Sequence, residues 1–589
     1  MTYPTGRLAR DAVLAAALVL AFQAARAESV VYRVAVEGVD GRLAEDMEAA
    51  SRLITAEADP PQSLAGLRQR AEGDRDVFDT ILRSEGYYGA MIDLDVDAGR
   101  APARVSVRVD RGERYSVADC RIEYDGPYGP PADAPRDCAA IGLAPGAPAR
   151  AVSVLAAHDR LLRALLESGR PEPRVERRPV VDHASHTMRL LFRVDPGREA
   201  VLGRVVVTGN QRTDSDFLAE LKTWNDGDRY DARVMDAYRR RLADMNLFDS
   251  LDLSFGTPGA PDAVGVGVHE RAPRSFGGGL RYATNEGAGA KLFWEHRNLW
   301  GGAERGRIDL EMAEIKQSLE LGLAFPHTPY PEATIDVGAR AAREDSDAYR
   351  KSGATLSAGI SAPLSERWKG KASVALDAAE IDDDPKSLLS VVASLPVEAF
   401  YDGTDDLLDP TGGERLALKA APVVGASGGA RLFVVAGAEG SAYRALDSRA
   451  NAVVAARLKL GAIAGGTIDS IPPDRRFYSG GGGSVRGFGY QRIGPRDAMG
   501  DPEGGRSLAE ASLELRLKLT REFGMVAFAE AGAVGRDFDL LDEDPRAGAG
   551  VGLRYYTDFG PLRADVAVPL NKGPGDEDFQ IYLSIGQAF

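Results

Sequence analysis

The chain has 589 residues, 44% of them hydrophobic, which is enough to bury a core and too long for one ordinary domain. Its formal net charge of -16 repels a phosphate backbone and argues against nucleic acid as a partner. The six histidines are scattered without ligand spacing, so no metal or cofactor is expected, and 66 glycines favour tight turns and strands.

At the N-terminus, Arg7 and Arg10 precede an apolar run from Ala12 to Phe22, followed by Ala25-Arg26-Ala27. That is the pattern of a secretory signal over residues 1–27, cleaved before Glu28. A membrane anchor is the competing reading, and the run is short for a bilayer. The mature chain is therefore expected outside the cytoplasm. No later segment offers about 20 uninterrupted apolar residues, so a helical membrane protein is not expected. In an oxidising compartment Cys120 and Cys138 are a disulfide candidate, with two free thiols as the alternative. Closing that loop would contribute about 3 kcal/mol.

The first half contains a threefold repeat, each copy reading as strand, helix, strand. The helices carry Val77, Phe78, Ile81 and Leu82; then Val154, Leu155, Leu161, Leu162, Leu165 and Leu166; then Met235, Tyr238 and Leu242. These spacings place apolar groups on one helical face. The closing strands alternate with period two: Val105, Val107, Val109; Met188, Leu190, Phe192, Val194; Val264, Val266, Val268. Each copy is thus a small α+β unit with helices on one side of a sheet. The third opens on Arg204 to Thr208, then Gly209-Asn210 and Arg212-Thr213, and later shows Leu247-Phe248-Asp249. That constellation resembles a POTRA domain, the periplasmic module of outer-membrane assembly factors. The resemblance divides the first half into POTRA-like units at 28–114, 115–199 and 200–272. In that family, exposed sheet edges hold extended chains by strand addition. Small α+β domains without a partner are the plainer reading.

From about Pro273 alternation replaces helical periodicity. Leu319, Leu321, Leu323 and Phe325 interleave with Ser318, Glu320 and Gly322. Leu513, Leu515, Leu517 and Leu519 interleave with Ser512, Glu514, Arg516 and Lys518. A soluble sandwich would turn the charges to water, whereas a membrane barrel turns them to its lumen and the apolar face to lipid. Export, Asp- and Gly-rich loops and the absence of helical crossovers favour an outer-membrane β-barrel over 273–589, with about 16 antiparallel strands. The last strand is read as Phe579 to Phe589, with Phe579, Ile581, Leu583, Ile585 and Phe589 on one face. An aromatic residue closing such a strand resembles the C-terminal signal of outer-membrane barrels.

Between these strands lies Gly480-Gly481-Gly482-Gly483-Ser484-Val485-Arg486-Gly487-Phe488-Gly489-Tyr490. A phosphate cradle would need Lys-Ser/Thr and a helix after the glycines, and both are missing. A flexible surface loop is the other alternative. Further motifs are Asn298-Leu299-Trp300-Gly301-Gly302, Asp402 to Asp406 with Leu408 to Gly413, Phe528-Ala529-Glu530-Ala531-Gly532, Gly552 to Tyr556 and Gly560 to Asp565. Together these resemble the outer-membrane assembly-factor superfamily, and the threefold repeat is most similar to the TamA branch. BamA relatives typically carry more such modules and two-partner secretion transporters fewer.

The resemblance implies that the Val485-Arg486-Gly487-Phe488 loop folds into the lumen. Arg486 would meet Glu530 on the wall beside Gly532, to shape the barrel and not to do chemistry. The first barrel strand, Phe276 to Tyr282, holds Gly277, Gly278 and Gly279, and glycine weakens a strand. Its seam with the last strand, at Ile581 and Leu583, is expected to open laterally for client strands; relief of crowding in a curved sheet is the plainer role for the glycines. The implied partners are a TamB-like inner-membrane-anchored periplasmic protein, nascent barrel or autotransporter clients, and outer-membrane lipid. No enzyme motif stands out: there is no G-x-S-x-G elbow, paired zinc histidines or haem-type Cys-x-x-Cys-His. A secretion channel or pore, and an anchor for lipid transport, are the alternative functions.

Overall fold

A computed structural model describes residues 29–284, 286–383, 386–425, 431–538, 544–557, 560–585 and 587–589. The expected signal, residues 1–27, lies outside them. The chain forms two compact units. One holds the chain up to Val206 with Thr223–Arg240 and Leu253–Gly265; the other holds Val207–Lys222, Arg241–Asp252 and Val266–Phe589.

The first sheet contains β1 (Tyr32–Glu37), β2 (Met91–Asp97) and β3 (Ala103–Asp110) in the order β1-β3-β2. Its helices are α1 (Gly41–Ala50), α2 (Arg52–Thr55) and α3 (Leu64–Ser84). Ser63 caps α3 by accepting from the Gly66 amide at 3.1 Å. Leu67, Ala71, Phe78 and Leu82 follow at helical spacing and are fully buried against Val105 and Val107. On the same face, buried Asp74 accepts from the Arg52 and Leu53 amides at 3.0 and 2.9 Å, which fixes the start of α2.

The second sheet orders β4 (Ser116–Tyr124), β5 (Arg174–Asp182) and β6 (Thr187–Asp195) as β4-β6-β5, with α4 (Ala151–Leu166) packed on it. Val154, Leu161 and Leu165 of α4 are buried, whereas Leu155 stands 45% exposed. A disulfide joins Cys120 of β4 to Cys138. The third sheet orders β7 (Val205–Thr208), β8 (Phe248–Thr257) and β9 (Ala260–Glu270) as β7-β9-β8. It carries α5 (Ser215–Glu220) and α6 (Ala232–Asp244), and its residues are shared between the two units.

The rest of the second unit is a closed antiparallel barrel. Its strands are β10 (Arg274–Ala283), β11 (Gly287–Arg297), β12 (Arg305–Ala313), β13 (Lys316–Pro326), β14 (Thr334–Asp345), β15 (Arg350–Pro363) and β16 (Trp368–Asp383). Then come β17 (Lys386–Ser394), β18 (Val397–Asp402), β19 (Gly412–Gly425), β20 (Arg431–Ala445) and β21 (Ala452–Ala464). The last are β22 (Ser507–Lys518), β23 (Phe523–Gly535), β24 (Arg546–Tyr555), β25 (Leu562–Pro569) and β26 (Gln580–Ile585). Segments β17 and β18 both lie between β16 and β19 and make one strand interrupted at Leu395-Pro396, so the barrel has sixteen strands. Proline has no amide to donate, which suits it to the interruption.

Burial along the strands is the reverse of that in a soluble protein. In β22, Leu513, Leu515 and Leu517 are exposed on the outside, while Ser512, Glu514 and Arg516 are buried within. Leu319, Leu321 and Leu323 of β13 are likewise exposed. Apolar groups outside and charges inside are what lipid around a filled lumen requires.

The last strand is shorter than its alternation predicts. It ends at Ile585, and Gln587 and Phe589 leave the wall. Groups in the lumen hold them: Gln587 accepts from Arg554 at 3.1 Å and donates to Asp409 at 2.9 Å, and Arg516 donates to the Phe589 carbonyl at 2.9 Å. The Arg457 guanidinium lies 5.2 Å from the Phe589 ring centre. Phe589 therefore does not share the outer face of Phe579, which is 50% exposed.

The disulfide links positions 18 apart, and the loop it closes should contribute about 3 kcal/mol. Replacing Cys138 by Ser should raise protease cleavage between residues 120 and 138 by about a hundredfold, read by timed limited proteolysis.

Candidate functional site

The segment between β21 and β22, residues 465–506, folds into the lumen and meets the wall. Within it Arg486 is 1% exposed. Its guanidinium donates to Glu514 of β22 and Glu530 of β23, each at 2.6 Å, and to Asp565 of β25 at 2.7 Å. Its own amide donates to the second Glu530 oxygen at 2.7 Å. The guanidinium carbon sits 3.4 Å from the centre of the Phe528 ring. Such charge-assisted contacts are strong, and they have to offset the desolvation of every ion in the cluster.

The wall supplies further cations. Arg516 contacts Glu514 at 3.0 Å; Arg554 and Arg563 contact Asp565 at 2.5 and 3.4 Å. Glu514 and Asp565 thus also meet wall arginines, whereas among the described residues the cation on Glu530 is Arg486 of the loop. Val485 and Phe488 flank the arginine, buried with Ile493. Ser484 donates to Glu510 and accepts from the Gly480 amide at 2.9 Å.

Two glycines make room for this approach. A Cβ on Gly532 would lie 2.8 Å from both Ser479 Oγ and Val485 Cγ2. A Cβ on Gly548 would overlap the Arg486 carbonyl oxygen. Gly487 itself has φ +100, open to glycine and strained for other residues. Sequence reasoning paired Arg486 with Glu530 alone. Glu514 and Asp565 lay on charged faces of alternating strands, but nothing local tied either to the loop.

Where β10 meets β26, the described residues form two register pairs, Tyr282 with Leu583 and Ala283 with Tyr582. Thr284 adds a bond from its amide to the Ile581 carbonyl at 3.1 Å, and its hydroxyl accepts from the Ile581 amide at 2.7 Å. By contrast, β19 and β20 share fourteen pairs. Gly277, Gly278 and Gly279 lie opposite Phe293, Leu292 and Lys291 of β11 and face no residue of β26. A groove of about 1130 Å³ opens there, lined by Gly278, Gly279, Leu280, Leu553, Leu583 and Ile585. The lumen loop touches both sides of the seam at its paired end. The Gly482 amide donates to Glu286 at 2.9 Å, and the Gly487 amide donates to the Tyr582 hydroxyl at 3.1 Å.

Two motifs read separately in the sequence come together where β9 runs into the barrel. Glu270 accepts from the backbone amides of Gln211, Arg212 and Thr213 at 3.1, 2.9 and 2.8 Å. Thr213 Oγ1 accepts from Asn298 Nδ2 at 3.0 Å, and the Asp214 amide donates to the Gly301 carbonyl at 3.0 Å. Burial pushes the Glu270 carboxyl up, but the three amides outweigh it and hold it below the usual carboxylate range.

Residues 298–589 match the family model of the Omp85 superfamily domain. The outer membrane protein assembly factor BamA of Nitratidesulfovibrio vulgaris is 25% identical over 69% of this chain and 53% of its own length. BamA of Neisseria meningitidis serogroup B is 20% identical over 88% of this chain and 73% of its length. The chain therefore spans about half the length of the first of these relatives. The crystal structure of BamA from Haemophilus ducreyi lacking POTRA domains 1-3 is 18% identical, with a TM-score of 0.68 over 80% of this chain and 100% of that one. The barrel region of this chain is an Omp85 superfamily domain, sixteen-stranded and closed. It resides in the outer membrane of a Gram-negative bacterium, with the POTRA-type region in the periplasm.

Replacing Arg486 by Ala would strip buried Glu530 of its cation and leave Glu514 and Asp565 to their wall arginines, at a cost of about 3–5 kcal/mol. The yield of heat-modifiable folded barrel on a gel should fall sharply. Lysine should rescue poorly, because one ammonium does not reproduce the fork that reaches three carboxylates. The Glu270 carboxyl is depressed in the folded chain, so its contribution is complete above the ordinary range near about 4.3 and is lost as pH falls through the lower folded value. Proteolysis of the 209–213 loop should accelerate in that acidic window, and Glu270→Gln should cleave faster at neutral pH and lose the pH response.

Proposed function

We propose that this protein is an outer-membrane assembly factor whose β10–β26 seam receives a strand of a client. The observation that carries this reading is the length of the seam: two register pairs against fourteen at β19–β20. Backbone groups in lipid need partners, and β10 from Arg274 to Arg281 has none from β26. A client strand added there satisfies those groups and needs no nucleotide. Glycines at 277–279 suit an edge that must pair, release and pair again, because they add little side-chain packing to any one partner. The names of the BamA relatives support the same direction.

The more specific role is TamA-like: help in inserting or secreting autotransporter-type and other envelope proteins, with a TamB-like inner-membrane-anchored partner at the first module. Three α+β sheets ahead of the barrel support it. In that reading residues 28–114, 115–199 and 200–272 are the three POTRA-like modules. A secretion channel is the second reading, favoured by the long loop inside the lumen, which could act as a movable plug.

A photocrosslinking amino acid at Gly278, in cells making an autotransporter, tests the first reading. It should crosslink to the nascent client barrel. If Gly278 captures no client and the purified barrel conducts ions steadily, the channel reading replaces it.

A further inference from the structure

The lumen loop has a second ionic attachment. Before the glycines it makes a short 3₁₀ turn, Pro473–Arg475, and this turn meets a different part of the wall. Lys351 of β15 reaches Asp474 at 2.6 Å and Asp377 of β16 at 3.3 Å. Arg475 contacts Asp377 at 3.0 Å and Asp474 at 3.5 Å. The Thr355 hydroxyl donates to the other Asp377 oxygen at 2.6 Å. The result is a closed ring of four alternating charges, two from the loop and two from the wall, with no net charge. The side chains of Asp474 and Asp377 are 3% and 8% exposed, so water does not replace a lost partner cheaply. Beside the ring, Tyr478 of the loop packs against Tyr349 at 5.9 Å between ring centres.

The position of this ring gives it a role. Counting β10 as the first of the sixteen strands, with β17 and β18 as one, Lys351 and Asp377 stand on the sixth and seventh. The carboxylates that hold Arg486 stand on the twelfth, thirteenth and fifteenth, about half the circumference away. Residues 476–485 are all that separates the two attachments. A loop held at one wall can pivot aside, whereas a loop held at two facing walls has to stay across the lumen until one attachment breaks.

We propose that Asp474 and Arg475, with Lys351 and Asp377, form a second positioning anchor that holds the loop across the lumen and keeps the barrel closed to ions. This inference does not depend on what the seam transports. Full-length protein in planar lipid bilayers tests it by single-channel recording. Lys351→Asp and Asp474→Lys should each raise the open probability by about tenfold or more, because each sets like charges against one another inside the wall. The fourfold exchange, Lys351→Asp and Asp377→Lys with Asp474→Lys and Arg475→Asp, restores the alternation of the ring and should return the barrel to its quiet state. Heat-modifiable migration identifies folded barrel, and a defect of folding alone would not reverse conductance on exchange. Should a charge reversal fail to fold, Asp474→Asn replaces it and should also conduct more. Single variants as quiet as the native protein, or a folded fourfold exchange as leaky as the singles, would overturn the proposal.

Discussion

The buried guanidinium of Arg486 organises the barrel. Three carboxylates from three strands converge on it, and Glu530, which meets no wall arginine among the described residues, takes its cation from the loop. Once Arg486 is seated, the position of the following backbone is set. The Gly487 amide reaches Tyr582 on β26, and the Gly482 amide reaches Glu286 beyond β10. The ion cluster thereby fixes one end of the seam without touching either seam strand through its charges.

The other end of the seam is left to weaker forces. From Arg274 to Arg281, β10 holds on to β11 alone, and Gly278 leaves its outer face without a side chain between exposed Phe276 and Leu280. On the facing side β26 stops at Ile585, because Arg516, Arg554 and Asp409 bind the residues that would have continued it. One wall of the lumen thus has a double effect. It draws the loop in through Glu514, Glu530 and Asp565, and it draws the end of the last strand away from its neighbour. A barrel closed firmly at one end and loosely at the other is suited to admitting a strand from the loose end.

Much of this architecture was legible in the sequence because it rests on period and local chemistry. Alternation marked the strands, and helical spacing marked Val77 to Leu82 and Val154 to Leu166. Arg486, Glu530 and Gly532 were legible through motifs that stay intact along the chain. What escaped was contact between distant positions. Glu514 and Asp565 lie 28 and 79 residues from Arg486, and Asp474 lies 123 from Lys351. Only the closed sheet, with its register set, brings them together. The end of β26 escaped for a related reason: the alternation from Phe579 to Phe589 describes a strand well, but local pattern is blind to the arginines that compete for its last residues.

Amide hydrogen exchange along β10, in the full-length protein in lipid nanodiscs, tests the account most directly. Fast exchange is predicted for those amides of Phe276 to Leu280 that are not bonded to β11, with slow exchange at Tyr282 and Ala283 and in the central strands. Uniform protection along β10, equal to that of β19 and β20, would mean that the seam is fully zipped and would contradict it.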